Sequence, residues 1–487
     1  MDYFLSIDQG TTSTRCILFE QDGGIKATHQ VEFNQIFPDN KSVEHDANEI
    51  LETVKTCIQK VTNGIEIKSI KSIGITNQRE TTVAWSKSTG KPFYNAIVWQ
   101  DTRTQEICDE LIADNSLSSL FEKTGLPVTT YFSLSKILWL IRNVPDINKS
   151  LETDVCFGTI DSWLIYNLTG NFYTDVTNAS RTLLYDLYEM EWCSDLLEKL
   201  EIPINSLPQV KPSFSNFGKL KEIIPGVPVT AILGDQQAAL FGQNCINKGD
   251  VKNTYGTGCF ALTNTGKEIV KSNNGLLTTV AYQKEGEDPM FALEGSVPIA
   301  GAAVQWLRDN LNIIDKTEDI ESLAMLEKDN GDVYFVPAFS GLFSPHWDET
   351  ARGSLFGLTR FSNKSHMARA VLESVAFQTY ELLESMEKDL DTEFESLKVD
   401  GGMVANNLLM QFQSDLLDKS LQSQEINEIT ALGVGAASYL YVVDLPLSSM
   451  RNYITSSKTW NPNMSNETRI NFLNSWHKAI EKAKNWL

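Results

Sequence analysis

The sequence predicts an α/β protein built as two halves of about 240 residues each, and three observations carry that expectation. Apolar, strand-like runs alternate with stretches of helical period along most of the chain. A strand, a tight turn and a second strand open the sequence, and the same device returns at 250–263. No low-complexity linker lies between the copies, and the return of the strand-turn-strand places the boundary near residue 245, giving parts spanning 1–245 and 246–487.

Each element follows from local pattern. Residues 3–8 are an apolar strand, 9–13 a polar turn, and 15–19 a second strand that stops at Gln21-Asp22-Gly23-Gly24. Residues 48–61 carry apolar side chains at intervals of three and four, the period of a half-buried helix. A strand at 227–233 runs through Gly234 into a helix beginning at Asp235. In the second copy, 250–254 leads through Tyr255-Gly256-Thr257-Gly258 into 259–263. Helical patterns follow at 301–307 and 365–390, a strand at 397–399 precedes a helix from Asn407, and a last helix is expected over 467–487.

Composition excludes several functions. The 41 basic and 63 acidic side chains leave a net charge of −22, so the surface repels phosphate backbones and no nucleic-acid partner is expected. The longest apolar run, 431–443, falls short of the roughly 18 to 20 residues that cross a bilayer, so no membrane span is expected. The start lacks the basic and apolar regions of a secretion signal, and the seven cysteines are dispersed with no C-x-x-C pair. A reducing cytoplasm is therefore expected. None of the five histidines stands in a zinc-hydrolase pattern.

Familiar phosphate-binding signals are missing. Each Gly-Lys dipeptide lacks the Ser or Thr of a P-loop, and neither H-R-D nor D-F-G occurs. Four other places can carry chemistry. Asp8 to Thr14 sets a carboxylate at a strand end before a glycine and several hydroxyls, which suits phosphate oxygens and a hydrated Mg2+ but also suits a well-capped turn. Tyr255-Gly256-Thr257-Gly258 has the same two readings. Asp400-Gly401-Gly402 with Ala405-Asn406-Asn407 offers either a flat seat for an adenine ring or a helix entry capped by asparagine. Asp235, where a strand turns into a helix, is either a cap or a general base.

Taken as a set, Asp8-Gln9-Gly10-Thr11-Thr12, Asn77 to Thr82, Gly234 to Gln243, Asn253 to Phe260 and Val399 to Gly402 resemble the FGGY family of carbohydrate kinases. Residues 131–139 and 353–373 resemble its two longer signatures, and the resemblance runs from about residue 3 to about residue 440. It implies a two-domain, actin-like or ribonuclease-H-like ATPase fold that closes on ATP and a small polyol in the interdomain cleft. Within the family the likeness is to the members that phosphorylate glycerol, so glycerol and ATP are the implied substrates, Mg2+ the implied metal, and a homodimer or homotetramer the implied assembly.

By that resemblance Asp8 positions Mg2+, and Thr11, Thr12, Ser13, Arg15 and Thr257 lie along the phosphates. Gly301, Gln305, Gly402 and Asn406 match positions around the nucleotide. Arg79, Glu80, Tyr131, Asp235 and Gln236 match residues that hold the acceptor's hydroxyls, Trp99 and Phe260 match those covering its carbons, and Asp235 is the implied general base. A triol needs polar partners on one side and an apolar wall on the other to sit in one orientation. The chain departs from some relatives at 214–235, which is short and lacks the loop and the histidine through which other members are regulated, so neither control is expected. It also carries His346 where the family usually has tyrosine, a change expected to affect loop packing.

Overall fold

The computed structural model describes residues 2–454 and 456–487. The strand Tyr3–Gln9 lies inside a six-stranded sheet whose order is Phe214–Lys219, Pro228–Gly234, Ile70–Asn77, Tyr3–Gln9, Ser13–Glu20, Ile25–Glu32. It pairs antiparallel with its hairpin partner, Asp8 opposite Arg15, and parallel with Ile70–Asn77 on its other side. The second half repeats the plan. Val251–Tyr255 pairs antiparallel with Cys259–Gly266 and parallel with Ser396–Asp400, inside a seven-stranded sheet that continues through Ser420–Gln424 to an antiparallel edge at Ser456–Trp460. The two expected copies are thus two copies of one sheet topology, and the two-domain α/β fold holds.

A central strand covered on both faces must be apolar on both. Along Tyr3–Gln9, Leu5 and Ile7 enter a core completed by the helix Ala47–Val61, whereas Phe4 points to the opposite face. Burying a side chain such as Phe4 is worth about 1.5–3 kcal/mol. That opposite face is covered by the helices Asp235–Gly242 and Ile429–Val442. The apolar run at 431–443 is therefore a buried helix, and among the described residues no helix is long and apolar enough to cross a membrane. Ile429–Val442 belongs to the second half in sequence but lies on the first half's sheet: Ser6 Oγ donates to the carbonyl of Ala431 at 2.6 Å, and a Cβ on Gly74 would stand 2.2 Å from the carbonyl oxygen of Val434.

Two element ends differ from expectation for local reasons. The helix expected from residue 48 begins at Ala47, because the Asp46 carboxylate accepts the amides of Asn48 and Glu49. The last helix stops at Ala483 rather than 487: the chain turns away so that Asn485 N–H reaches the Asp348 carboxylate at 3.0 Å and Leu487 N–H the carbonyl of Thr350. His346 bonds through Nε2 to Glu381 at 3.1 Å, a contact between a loop and the long helix Lys364–Leu390. A small sheet of Glu44–His45, Ala96–Ile97, Thr82–Ser86 and Val155–Thr159 went unforeseen, since strands of two to five residues carry little periodic signal. It brings His45 and Trp99 beside the first turn.

Candidate active site

The first turn is closed by its own backbone, Gly10 N–H to Ser13 C=O at 2.9 Å, and is held from beneath by polar side chains. Gln78 Nε2 donates to Gln9 Oε1 and to the carbonyl of Gly10, both at 3.2 Å, and lies 3.4 Å from His45 Nδ1. His45 Nε2 meets Gln35 Oε1 at 2.8 Å, and Gln35 Nε2 donates to the carbonyl of Thr11 at 3.1 Å. Burial pushes the His45 imidazole down to about 4, so the ring is neutral at pH 7 and relays hydrogen bonds from one amide to the next. Asp8 stands at the end of its strand next to this support. Burial pushes its carboxyl up to about 7, the facing Asp235 adds to the rise, and Arg15 opposes it. Burial penalises charge on the Asp8 carboxyl, which makes it a fitting place for a divalent cation, whose charge would relieve that penalty.

Asp235 opens the helix Asp235–Gly242 directly after the strand Pro228–Gly234. Its Oδ1 accepts the Gln236 N–H at 2.7 Å and lies 3.1 Å from Arg79 Nε, and 36% of the side chain is exposed. The carboxylate is thus held on one side and open to a ligand on the other. A Cβ at Gly234 would fall 2.7 Å from Arg79 Cδ, so the glycine gives Arg79 its path to the aspartate.

Arg79 and Glu80 leave the strand Ile70–Asn77 and are almost wholly buried. Glu80 takes a left-handed backbone at φ 61°, and its carbonyl accepts Ser133 Oγ at 2.9 Å. The sequence pattern did not disclose their partners. Arg79 donates with both terminal nitrogens to Glu294, at 2.5 and 2.9 Å, and Arg181 bridges Glu80 Oε1 at 2.7 Å and Glu294 Oε1 at 3.0 Å. Burial opposes the charge on Glu294, but Arg181 and Arg79 outweigh it and hold the carboxyl down to about 2. One signal could have found Glu294: it is a lone carboxylate inside the apolar strand Met290–Val297.

Trp99 and Tyr131 link the first turn to the buried charge. Trp99 Nε1 donates to Thr11 Oγ1 at 3.1 Å, and its ring meets the edge of Tyr131 with centroids 5.6 Å apart. Tyr131 in turn faces the Arg181 guanidinium at 5.8 Å, and burial, with Glu80 adding, raises its hydroxyl. From the second half, buried Lys252 donates to Gln236 Oε1 at 2.5 Å, to Thr254 Oγ1 at 2.9 Å and to the carbonyl of Phe260 at 3.3 Å. Gln236, Thr254 and the Phe260 carbonyl are drawn together by a residue that sequence reading passed over.

The second turn is a backbone construction. The Thr257 carbonyl accepts from Ala300 and Ala302, and that of Gly256 from Gly301, all at 3.0 Å. A Cβ at Gly301 would lie 2.7 Å from the Gly256 oxygen, so the turn and the helix Gly301–Asp309 meet through glycine. Thr257, Gln305 and Gly402 are exposed, and nothing lies within 4 Å of where a Gly402 Cβ would stand. The residue that must be glycine is Gly401, at φ 96° with its would-be Cβ 2.4 Å from the Tyr255 carbonyl oxygen. Asn406 Oδ1 accepts the Leu409 N–H at 2.9 Å and so caps the helix Asn407–Leu417. Arg15 reaches Gln30 at 2.9 Å and pairs with Glu428, while Gln30 donates to Ser13 Oγ at 3.0 Å; Thr12 is exposed.

A duplicated sheet with a turn at the head of each copy, and an accessible carboxylate held between them by buried charge, defines a two-domain sugar-kinase-like protein. The chain belongs to the FGGY family of carbohydrate kinases: residues 3–242 match the family's N-terminal domain and 251–438 its C-terminal domain. It is 50% identical to the glycerol kinase of Brucella anthropi, with 99% of each chain covered, and 48% identical to that of Chloroflexus aggregans, over 100% of this chain and 99% of the other. Among solved structures, Plasmodium falciparum glycerol kinase with ADP superposes with a TM-score of 0.95 at 38% identity, covering 99% of this chain and 98% of that one. A ligand-bound xylulose kinase of Lactobacillus acidophilus, at 20% identity and a TM-score of 0.89, shares the fold.

Proposed function

We propose that the protein is a glycerol kinase, transferring the γ-phosphoryl group of ATP to a primary hydroxyl of glycerol to give sn-glycerol 3-phosphate. The observation that carries this reading is the Asp235 carboxylate, held at 3.1 Å by Arg79 and open on its other side. Arg79, Glu80, Tyr131 and Gln236 bind the hydroxyls, and Trp99 and Phe260 cover the carbons. Asp235 accepts the proton of the attacking hydroxyl as its oxygen approaches the γ-phosphorus in line and ADP departs. Thr11, Thr12, Ser13, Arg15 and Thr257 bind the phosphates, and Gly301, Gln305, Gly402 and Asn406 surround the nucleoside. Asp8 would hold the Mg2+ that accompanies ATP, an ion that neutralises phosphate charge.

On this reading residues 1–245 bind glycerol and phosphate and 246–487 bind the nucleotide, with Phe260 reaching over the acceptor from the second half and Ile429–Val442 returning to the first sheet. A cytoplasmic homodimer or homotetramer completes the proposal; the seven buried, free cysteines support a reducing compartment. The test is ADP release from Mg-ATP with glycerol, erythritol, xylulose, ribulose and gluconate offered in turn. Fast turnover on glycerol alone is expected. Turnover on a ketose or on gluconate, with glycerol inert, overturns the acceptor assignment.

A further inference from the structure

Glu294 lies on the strand Met290–Val297 of the second half, yet its carboxylate closes on two arginines of the first. Arg79 meets it as a fork, both terminal nitrogens donating, the geometry that fixes a guanidinium most firmly. That fork leaves Arg79 Nε as the edge facing Asp235 at 3.1 Å. Arg181 shares the same carboxylate and passes its own Nε to Glu80. The four side chains are each at most 3% exposed, so water cannot replace any of these contacts.

We propose that Glu294 is a positioning residue for the acceptor: by clamping Arg79 and Arg181 it fixes the directions of Arg79 Nε and of the Glu80 carboxylate, and so selects which primary hydroxyl of glycerol faces Asp235. The inference rests on the glycerol reading above. Glycerol is prochiral, and its two CH2OH ends differ only in how the molecule is turned against its partners. Fixed polar groups on one side and the Trp99–Phe260 wall on the other are what tell them apart. Glu294 stays ionised across the working pH range, since Arg181 and Arg79 outweigh its burial.

The test compares wild type with Glu294→Gln, which keeps the shape and removes the charge. Initial rates are measured with glycerol and ATP varied separately, and the handedness of the glycerol phosphate is read with a dehydrogenase specific for the sn-3 isomer against total phosphate ester. The expected result is a glycerol KM raised about tenfold or more with an ATP KM held within about twofold, and a product no longer purely sn-3. A merely structural role lowers the amount of active enzyme without moving handedness. An unchanged glycerol KM with pure sn-3 product overturns the proposal. If wild type leaves glycerol untouched, the functional reading falls and takes this inference with it. Should Glu294→Gln lose its cooperative melting transition, Arg181→Lys loosens Glu80 while sparing the Arg79–Glu294 fork. A smaller rise in glycerol KM is then expected, and no rise overturns the proposal.

Discussion

Where Arg79, Glu80, Arg181 and Glu294 meet, the site is made of buried charge; where Gly256 and Thr257 meet Gly301, and Gly401 meets Tyr255, it is made of glycine and main-chain groups, with Thr257 exposed. A small triol offers little apolar area, so its binding and orientation must come from a few fixed polar partners. Triphosphates and a flat ring bring strong acceptors and their own shape, so a bare backbone surface can receive them. The contrast predicts that changes at one end leave the other end's binding intact.

The largest expected effect belongs to neither surface but to the group between them. Asp235→Asn is expected to lower kcat by about 10²- to 10⁴-fold while KM for both substrates changes little, as measured by steady-state rates. Unchanged turnover would remove Asp235 from the role of base.

Next comes the support beneath the first turn. His45 has its pKa lowered from 6.5 to about 4, so it is buried in its neutral form. The stability this gives is complete above pH 6.5 and is lost as the pH falls from 6.5 to 4, amounting to about 3 kcal/mol. Chemical denaturation of wild type and His45→Gln across that window should show wild type losing about 3 kcal/mol more than the variant as the pH falls from 6.5 to 4. Equal slopes would mean that the imidazole is not held neutral.

At the proposed nucleotide end, Gly401→Ala must place a Cβ against the Tyr255 carbonyl in a backbone region reserved for glycine, a strain of about 1–3 kcal/mol. A raised KM for ATP with an unchanged KM for glycerol is expected. The smallest effect is at the proposed acceptor end: Trp99→Phe keeps the aromatic ring but removes the bond to Thr11, worth about 0.5–1.5 kcal/mol. Its KM for glycerol should rise a few-fold and its KM for ATP stay put. If both constants move together in either variant, the two ends are coupled and the contrast fails.

The same contrast governs what was legible in the sequence. Gly256-Thr257-Gly258 and Asp400-Gly401-Gly402 could be found because a turn needs only its own neighbours to be a turn. The hairpins and the long helices were legible for the same reason, through local period. The charge network was not, because Arg181 stands 101 positions from Glu80 and Glu294 stands 215 from Arg79, and no spacing rule links them. Lys252, inside the strand Val251–Tyr255, escaped for the same cause, although a lone lysine in a buried strand asks for a partner. Asn406 had two open readings. It serves as a helix cap, an office that leaves its amide nitrogen free for the nucleotide role proposed above.

The helix Ile429–Val442, seated on the first sheet, bears on how the chain is made. Ser6 waits for Ala431, 425 positions later, and Ser72 for Ser438, 366 positions later. During synthesis the face of the first sheet that carries Phe4, Phe19 and Leu233 has only one of its two covering helices, Asp235–Gly242, until nearly the whole polypeptide has left the ribosome. Contacts of such separation close late and slowly, and the nascent amino-terminal half is meanwhile a sticky intermediate that invites chaperones. A chain cut before residue 429 would lose more than one helix: it would leave one face of the amino-terminal sheet half covered.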